Sequence, residues 1–411
     1  MTDLFLYDDS IARDFEPFAL TRPVCELRAG ALLLRERWER AIGMKAAGVI
    51  CGTHLADFDE PWGVACGPST TGTIPAGSVL ANSRCAVAFA PAPAADVWRC
   101  DGRVAAVVLP RAVDVAELAN GEMDLARLAP PEGKSVDVPG QWINEVWDFI
   151  ATLGTLLGSD IAAIASASSL SPARYALIGG GGAHPVFVEN AATVEPHVYF
   201  DTAAGPVLIR RRASVQAFTR IVGPVMIGED SQVGGDKITN ASIGEVCRVH
   251  GEVSTSIFLG HANKSHEGFV GHSYLGRWVN LGAGTITSNL KNTYGPVRLW
   301  TPRGEKNTGL QFLGAFFGDH AKTGIGTPIT TGSVIGAAAN IYGSGLCPNV
   351  VPPFSWGDQP PYSTYRMDKF VEVARRAMAR RHVELSERQV RVLMEAYERR
   401  WRADDEARRS R

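Results

Sequence analysis

The chain has 411 residues and a formal net charge of −2, which leaves room for two domains and gives no bulk attraction to nucleic acid or an anionic membrane. Hydrophobic residues make up 45%, enough for sizeable cores, and no apolar run approaches the roughly 20 residues of a membrane span. Seven Cys, an odd number without a CxxC or CxxH pair, argue against a disulfide framework or a structural zinc and fit a reducing cytosol.

In chain order, the acidic opening MTDLFLYDDS lacks a cationic, apolar leader and predicts a first strand over Asp3–Tyr7. ELRAGALLLRERWERAI has helical periodicity over Glu26–Ile42. Further strands are expected at Ala47–Cys51, Gly77–Asn82 and Val104–Leu109, and a helix at Asp114–Leu125. That alternation is α/β. Trp142–Leu157 and Asp160–Ala167 are expected as linking helices, and the glycine run at 179–182 as a joint; without a following Lys-Ser/Thr it is no P-loop.

Beyond it a period of six takes over. Ile209, Val215, Ile221, Ile227 and Val233 form one ladder; Phe317, Thr323, Ile329, Ile335 and Ile341 form another. Ile243, Val249, Phe269, Leu275 and Leu281 stand between them, and Gly often follows the ladder residue. Six matches neither 3.6 nor 2; it fits a triangular coil whose three short sides each point one branched residue inward. A sandwich would show irregular spacing of about 8–12 residues. The expected fold is therefore an α/β N-terminal domain plus an all-β left-handed parallel β-helix and C-terminal helices. Its expected parts are residues 1–150, a helical linker at 151–186, the β-helix at 187–346 and a helical extension at 347–411. The extension is helical over Tyr365–Trp401, with a break near Leu385-Ser386 and Ser386 as N-cap.

The segment HGEVSTSIFLGHANKSHEGFVGHSYLGRWVNLGAGTITSNLKN resembles the acetyltransferase half of the bifunctional N-acetylglucosamine-1-phosphate uridyltransferase/glucosamine-1-phosphate acetyltransferase family. LTRPVCELRAGALLLRERWE and LANSR are similar to N-terminal segments of a nucleotidyltransferase-like subgroup of that family. The resemblance implies a homotrimer in which a His at a subunit seam acts as general base on an amino-sugar phosphate attacking acetyl-CoA. Family spacing, fourteen residues before Asn280, makes that base His266; His272 breaks the count. Neutral imidazole suits the task because it titrates near working pH. The resemblance also implies a backbone contact to the acetyl group at Ala283, sugar contacts at Asn280 and Asn289, and CoA contacts near Lys322 and Ala337. Lys264 and Lys291 are candidate phosphate cations. Ser254 and Phe269 replace the family's substrate Lys and Tyr, and Asp236-Lys237 falls near its Arg, so a related hexose phosphate or another amino sugar is as good an expected acceptor as glucosamine 1-phosphate.

For nucleotidyl transfer from an NTP, the family's glycine-rich loop after the first strand is replaced by FLYDDSIARDFEPFALTRP. Arg13 and Arg22 are the candidate phosphate cations, and Asp8 and Asp9 the candidate Mg²⁺ ligands. Two alternatives compete: a sugar-nucleotide-sensing scaffold with a degenerate N-terminal domain, and a metal enzyme of γ-carbonic anhydrase type. His261 and His266 have the latter's five-residue spacing, but Val225 stands where its third His belongs.

Overall fold

A computed structural model describes residues 2–64, 72–173 and 183–401. The glycine run at 179–182 lies outside the described residues. The chain divides into two compact units, Met1–Asp148 with Leu385–Arg399, and Phe149–Glu384 with Arg400–Arg411.

The first unit is built on a six-stranded sheet. Its strands are β1 (Leu4–Tyr7), β2 (Ala46–Ile50), β3 (Val79–Asn82), β4 (Val97–Cys100), β5 (Arg103–Val108) and β6 (Ser135–Asp137), in the order β6-β4-β5-β3-β1-β2. Both neighbours of β1 run parallel to it, so three strands end on the same edge and carry polar residues there. β1 is buried on both faces, which is why LFLY reads as a continuous apolar run.

The expected helix at Glu26–Ile42 is corrected. Arg28–Ala29 and Leu32–Leu33 pair as a tight hairpin, and only α1 (Leu34–Ile42) is helical. Gly30, at φ 64°, makes the turn that splits the apolar periodicity. The helix expected at Asp114–Leu125 is two short 3₁₀ turns, Val115–Leu118 and Leu125–Leu128, because Gly121 at φ 79° interrupts it. Trp142 closes a strand, Gly140–Trp142, and the helices begin at Asp148: α2 (Asp148–Ala151) and α3 (Leu153–Ala167).

The second unit is a parallel β-helix. Val207–Ile209 pairs with Val225–Ile227, which pairs with Ala241–Ile243; Ile257–Phe258, Tyr274–Leu275, Phe316–Phe317, Val334–Ile335 and Val350–Val351 extend the column. Coils advance by fifteen to eighteen residues, so the period of six holds only where all three sides keep full length. Every member of the 209–233 ladder is fully buried in one core with Ile243, Val249, Leu275 and Leu281. Phe269 is the exception: Val270 is the inward residue, paired with Val253, and Phe269 lies outside the core.

Tyr274 pairs with Phe316, forty-two residues on. The excursion between them holds the hairpin Arg298–Thr301/Gly304–Asn307. Strands continue past residue 346, through Val350–Val351 and Ser355–Gly357. α3 packs on the strands Arg220–Ile227 and Lys237–Ile243. α4 (Met367–Ala379) covers one corner through Phe370, whose ring meets Phe354 at 5.2 Å and His320 at 5.6 Å. α5 (Glu387–Arg399) belongs to the first unit, where Ser386 caps it by accepting from the Gln389 N–H at 3.1 Å. No helix among the described residues is long and apolar enough to cross a membrane.

Candidate functional sites

In the β-helix, Phe269 and Asn289 are brought together by coil stacking. The Thr287 N–H donates to the Phe269 carbonyl at 2.9 Å, which sets the strand carrying Asn289 directly beside Phe269. Both side chains fold over Gly271: a Cβ there would lie 2.3 Å from Phe269 Cζ and 2.8 Å from Asn289 Nδ2. Only glycine leaves room for this pair. They line a cleft of about 830 Å³ with Ile286, Lys291, Arg298 and Glu305. Behind it Asn289 Nδ2 donates to His272 Nδ1 at 2.8 Å, and His272 stacks on Phe312 from the excursion. Burial holds the His272 imidazole below its usual pKa, so it is neutral and able to accept.

His266 is exposed on the corner three residues before Phe269, and its carbonyl accepts from Lys264. Lys264 itself is only 2% exposed. Its ammonium is committed to the carbonyls of His250, at 2.6 Å, and His266, at 2.7 Å, and burial pulls its pKa down to about 8. The expected phosphate role for Lys264 is therefore corrected: this cation pins a coil corner. Lys291 lines the cleft and donates to the Pro296 carbonyl. Ala283 follows Gly282 at the next corner, where its carbonyl accepts from Gly326 at 2.7 Å. Among the described residues its N–H has no acceptor. Asn280 lies on a different face, with Oδ1 accepting from Asn263 at 2.9 Å, and shares a second cleft with Lys322 beneath α4. Ala337 is buried at 1% exposure.

In the first unit, the carboxyl ends of β1 and β3 gather Asp8, Asp9, Asn82, Ser83 and Arg84. This edge is where open parallel sheets place ligands. Asp9 accepts from two guanidinium nitrogens of Arg84, at 2.7 and 2.6 Å, and from the Asn82 amide at 2.9 Å. Burial alone would raise its pKa, but these partners hold it below the usual value. Asp8 is 2% exposed, accepts from the Val24 N–H at 2.8 Å, and is pushed up to about 6 by burial. Arg13 donates to the carbonyls of Asp8, Leu118 and Ala119.

Arg22 is corrected as an open phosphate cation: it is buried in a two-point pair with Glu60, at 2.8 and 3.1 Å. Among the described residues no group of three or more His, Cys, Asp or Glu is placed to hold a metal, and Asp9 is already neutralised by Arg84. Asn82 and Arg84 were not singled out from sequence; the polar run ANSR closing an apolar strand was the signal.

A family model described as sugar nucleotidyl transferase matches residues 4–169. A bifunctional sugar-1-phosphate nucleotidylyltransferase/acetyltransferase of Sulfurisphaera tokodaii is 33% identical over 165 residues, 38% of this chain and 39% of the relative. A bifunctional protein GlmU of Picosynechococcus is 30% identical over 147 residues, 33% of this chain and 29% of the relative. Another, of Methanococcus vannielii, is 36% identical over 92 residues, 21% of this chain and 22% of the relative. The matches thus span well under half the length of these relatives.

Proposed function

We propose that this chain, whose residues 4–169 match a family model described as sugar nucleotidyl transferase, is a transferase of sugar-nucleotide biosynthesis. In this reading the β-helix transfers an acyl group from acetyl-CoA to an amino-sugar phosphate, and the first unit transfers a nucleotidyl group from an NTP to a sugar 1-phosphate. The relatives' bifunctional names support both halves.

The observation that carries the acyl-transfer half is the Ala283 N–H, which has no acceptor among the described residues, together with the Phe269–Asn289 cleft and the exposed His266. A tetrahedral oxyanion needs such a preorganised donor. His266 would remove a proton from the substrate ammonium, and the freed amine would attack the thioester carbonyl. The Ala283 N–H would take the developing charge, and CoA would leave as the thiol. Asn289 and Lys291 would hold the sugar phosphate. His266 is solvent-exposed in one chain, which supports a homotrimer in which a neighbouring β-helix completes the seam and excludes water. Lys322 would meet CoA phosphates. A cytosolic home fits seven Cys that include no CxxC pair.

In the first unit Asp8 supports the nucleotidyl-transfer half: its carboxylate is kept at the ligand-binding strand edge despite full burial. Mg²⁺, held there by Asp8 with substrate phosphates, would neutralise the charge on the transferring group.

A mass-spectrometric screen of hexose and hexosamine 1-phosphates, with acetyl-CoA and each NTP plus Mg²⁺, tests the whole reading. Acylated product lost in His266→Ala is expected. Full acyl transfer by His266→Ala would remove that residue from the mechanism, and no product from any pairing would refute the enzyme reading in favour of a sensing scaffold.

A further inference from the structure

One wall of the Phe269–Asn289 cleft is an element that the coil repeat does not require. Forty-two residues separate Tyr274 from its partner Phe316, against fifteen to eighteen for an ordinary coil, and the surplus includes the hairpin Arg298–Thr301/Gly304–Asn307. Side chains along a strand alternate between two faces. Val297 and Leu299, at 1% and 0% exposure, point into the protein, so Arg298 and Trp300 share the opposite face. Glu305 pairs directly with Trp300 and stands on that face too. Arg298 and Glu305 line the cleft, so this is the face turned to the acceptor.

The base of the hairpin is firmly held. The Val297 N–H donates to the Leu310 carbonyl at 2.8 Å, and the Val297 carbonyl accepts from Thr308 at 3.0 Å. A Cβ on Gly332 would lie 2.6 Å from the Arg298 carbonyl oxygen, so the first strand rests closely on that glycine. Farther out the support thins, because two paired strands alone are marginal in water. The Arg298–Glu305 pair, 3.0 Å apart with both side chains more than half exposed, is of the kind that contributes little. Trp300 supplies the remaining anchor. Its ring packs on Trp401 with 4.3 Å between centroids and 38° between planes, and both residues belong to the second unit. Such a pair adds attraction beyond its buried area and loses few torsions on ordering. The Trp401 Nε1–H is buried without an acceptor among the described residues, so ring packing and not a hydrogen bond holds the indole there.

We propose that Trp401 is a positioning residue for the acyl acceptor: through Trp300 it fixes the hairpin face, and with it the Arg298 guanidinium, against the bound amino-sugar phosphate. This rests on the acyl-transfer reading of the cleft. Trp401 does not itself line the cleft, so it governs how well the acceptor is held and not the chemical step. Beside Lys291, Arg298 is the other cation of the cleft, and its rigid planar fork is useful only when the backbone beneath it is held in place.

Steady-state acyl transfer from acetyl-CoA to hexosamine 1-phosphates, measured on the full chain alongside hydrogen exchange of the hairpin amides, tests this. Trp401→Ala should raise KM for the acceptor about fivefold or more, leave kcat within about twofold, and speed exchange over 298–307 about threefold or more. Trp401→Phe keeps a ring and loses only an unpartnered N–H, so it should restore most of both. In an Arg298→Ala background, Trp401→Ala should change KM little, since the group it acts through is gone. Phe218→Ala removes an aromatic ring that is 77% exposed on another coil, and should match the parent in both measurements. Parent-like KM and exchange in Trp401→Ala, additive effects of the two alanine changes, or a loss confined to kcat would each overturn the proposal. A parent chain that acylates no hexosamine 1-phosphate overturns the acyl-transfer reading and the acceptor role of Trp401 with it, whereas failure of the Trp401 variants in an active chain overturns this proposal alone.

Discussion

Asp8 and Asp9 stand side by side at the end of one strand and answer burial in opposite ways. Asp9 gains a guanidinium and an amide, so its charge is stabilised. Asp8 gains one backbone N–H against full burial, and its pKa rises from 3.8 to about 6. A raised acid pKa means that the folded state binds the proton more tightly than the unfolded chain does. The penalty is therefore absent below 3.8, grows between 3.8 and about 6, and is complete above that. Asp8→Asn, whose amide oxygen still accepts from Val24, should stabilise the fold at pH 8 by up to ~3 kcal/mol and do nothing at pH 3.5. Urea unfolding at the two pH values decides this; equal effects at both would show that the carboxylate is not strained by burial. If Asp8 serves nucleotidyl transfer, the same variant should lose that activity while gaining stability, the trade expected of a functional carboxylate. His266 is the opposite case. Being exposed, it contributes little to packing, so His266→Ala should leave the melting temperature within about 1–2 °C while lowering acyl transfer by ~10²–10⁴-fold. A matching loss of stability would make it a structural corner residue instead.

The elements that sequence revealed most clearly are those governed by a repeat. Burial in a stacked coil is nearly independent of distant context, so Ile209 to Val233 and the apolar members of the ladder from Phe317 to Ile341 read out directly as core. Phe269 broke the pattern because its coil shortens, and a one-residue slip moved the inward position to Val270. The N-terminal unit was less legible. Leu32–Leu33 and Leu34–Ile42 look alike to a 3.6 period, yet a turn at Gly30 sends the first into a hairpin. Contacts between residues far apart in sequence, such as Arg22 with Glu60 and Asp9 with Arg84, left no local mark, so Arg22 passed for an open cation. Ser386 was legible because capping is local, and Ser386→Ala should cost about 1 kcal/mol in thermal or urea unfolding. The coils make a harsher demand. A Cβ on Gly244 would lie 2.2 Å from the Leu259 carbonyl oxygen of the next coil. Gly244→Ala should therefore destabilise by more than ~2 kcal/mol, far beyond a helix-surface change; parent-like unfolding of that variant would mean the stack can open without cost.

At the scale of the whole molecule, the two proposed chemistries draw on different units. Asp8, Asp9, Asn82 and Arg84 belong to Met1–Asp148, while His266, Phe269, Ala283 and Asn289 belong to Phe149–Glu384. No side chain is shared between the two sets, and each set is positioned by its own core: the parallel edge of a sheet in one, the register of stacked coils in the other. Lesions in one set should therefore not couple to the other, as sites without common partners behave additively. Arg84→Ala leaves Asp9 without its guanidinium partner and should lower nucleotidyl transfer by ~10²-fold or more while acyl transfer stays within about twofold. Asn289→Ala removes a cleft-lining amide and should do the reverse, chiefly by raising KM for the amino-sugar phosphate. Measured side by side on the same preparations, the pair forms a cross. If either variant abolished both activities while remaining folded, the two sites would be parts of a single one, and assigning separate reactions to the sheet and the β-helix would fail.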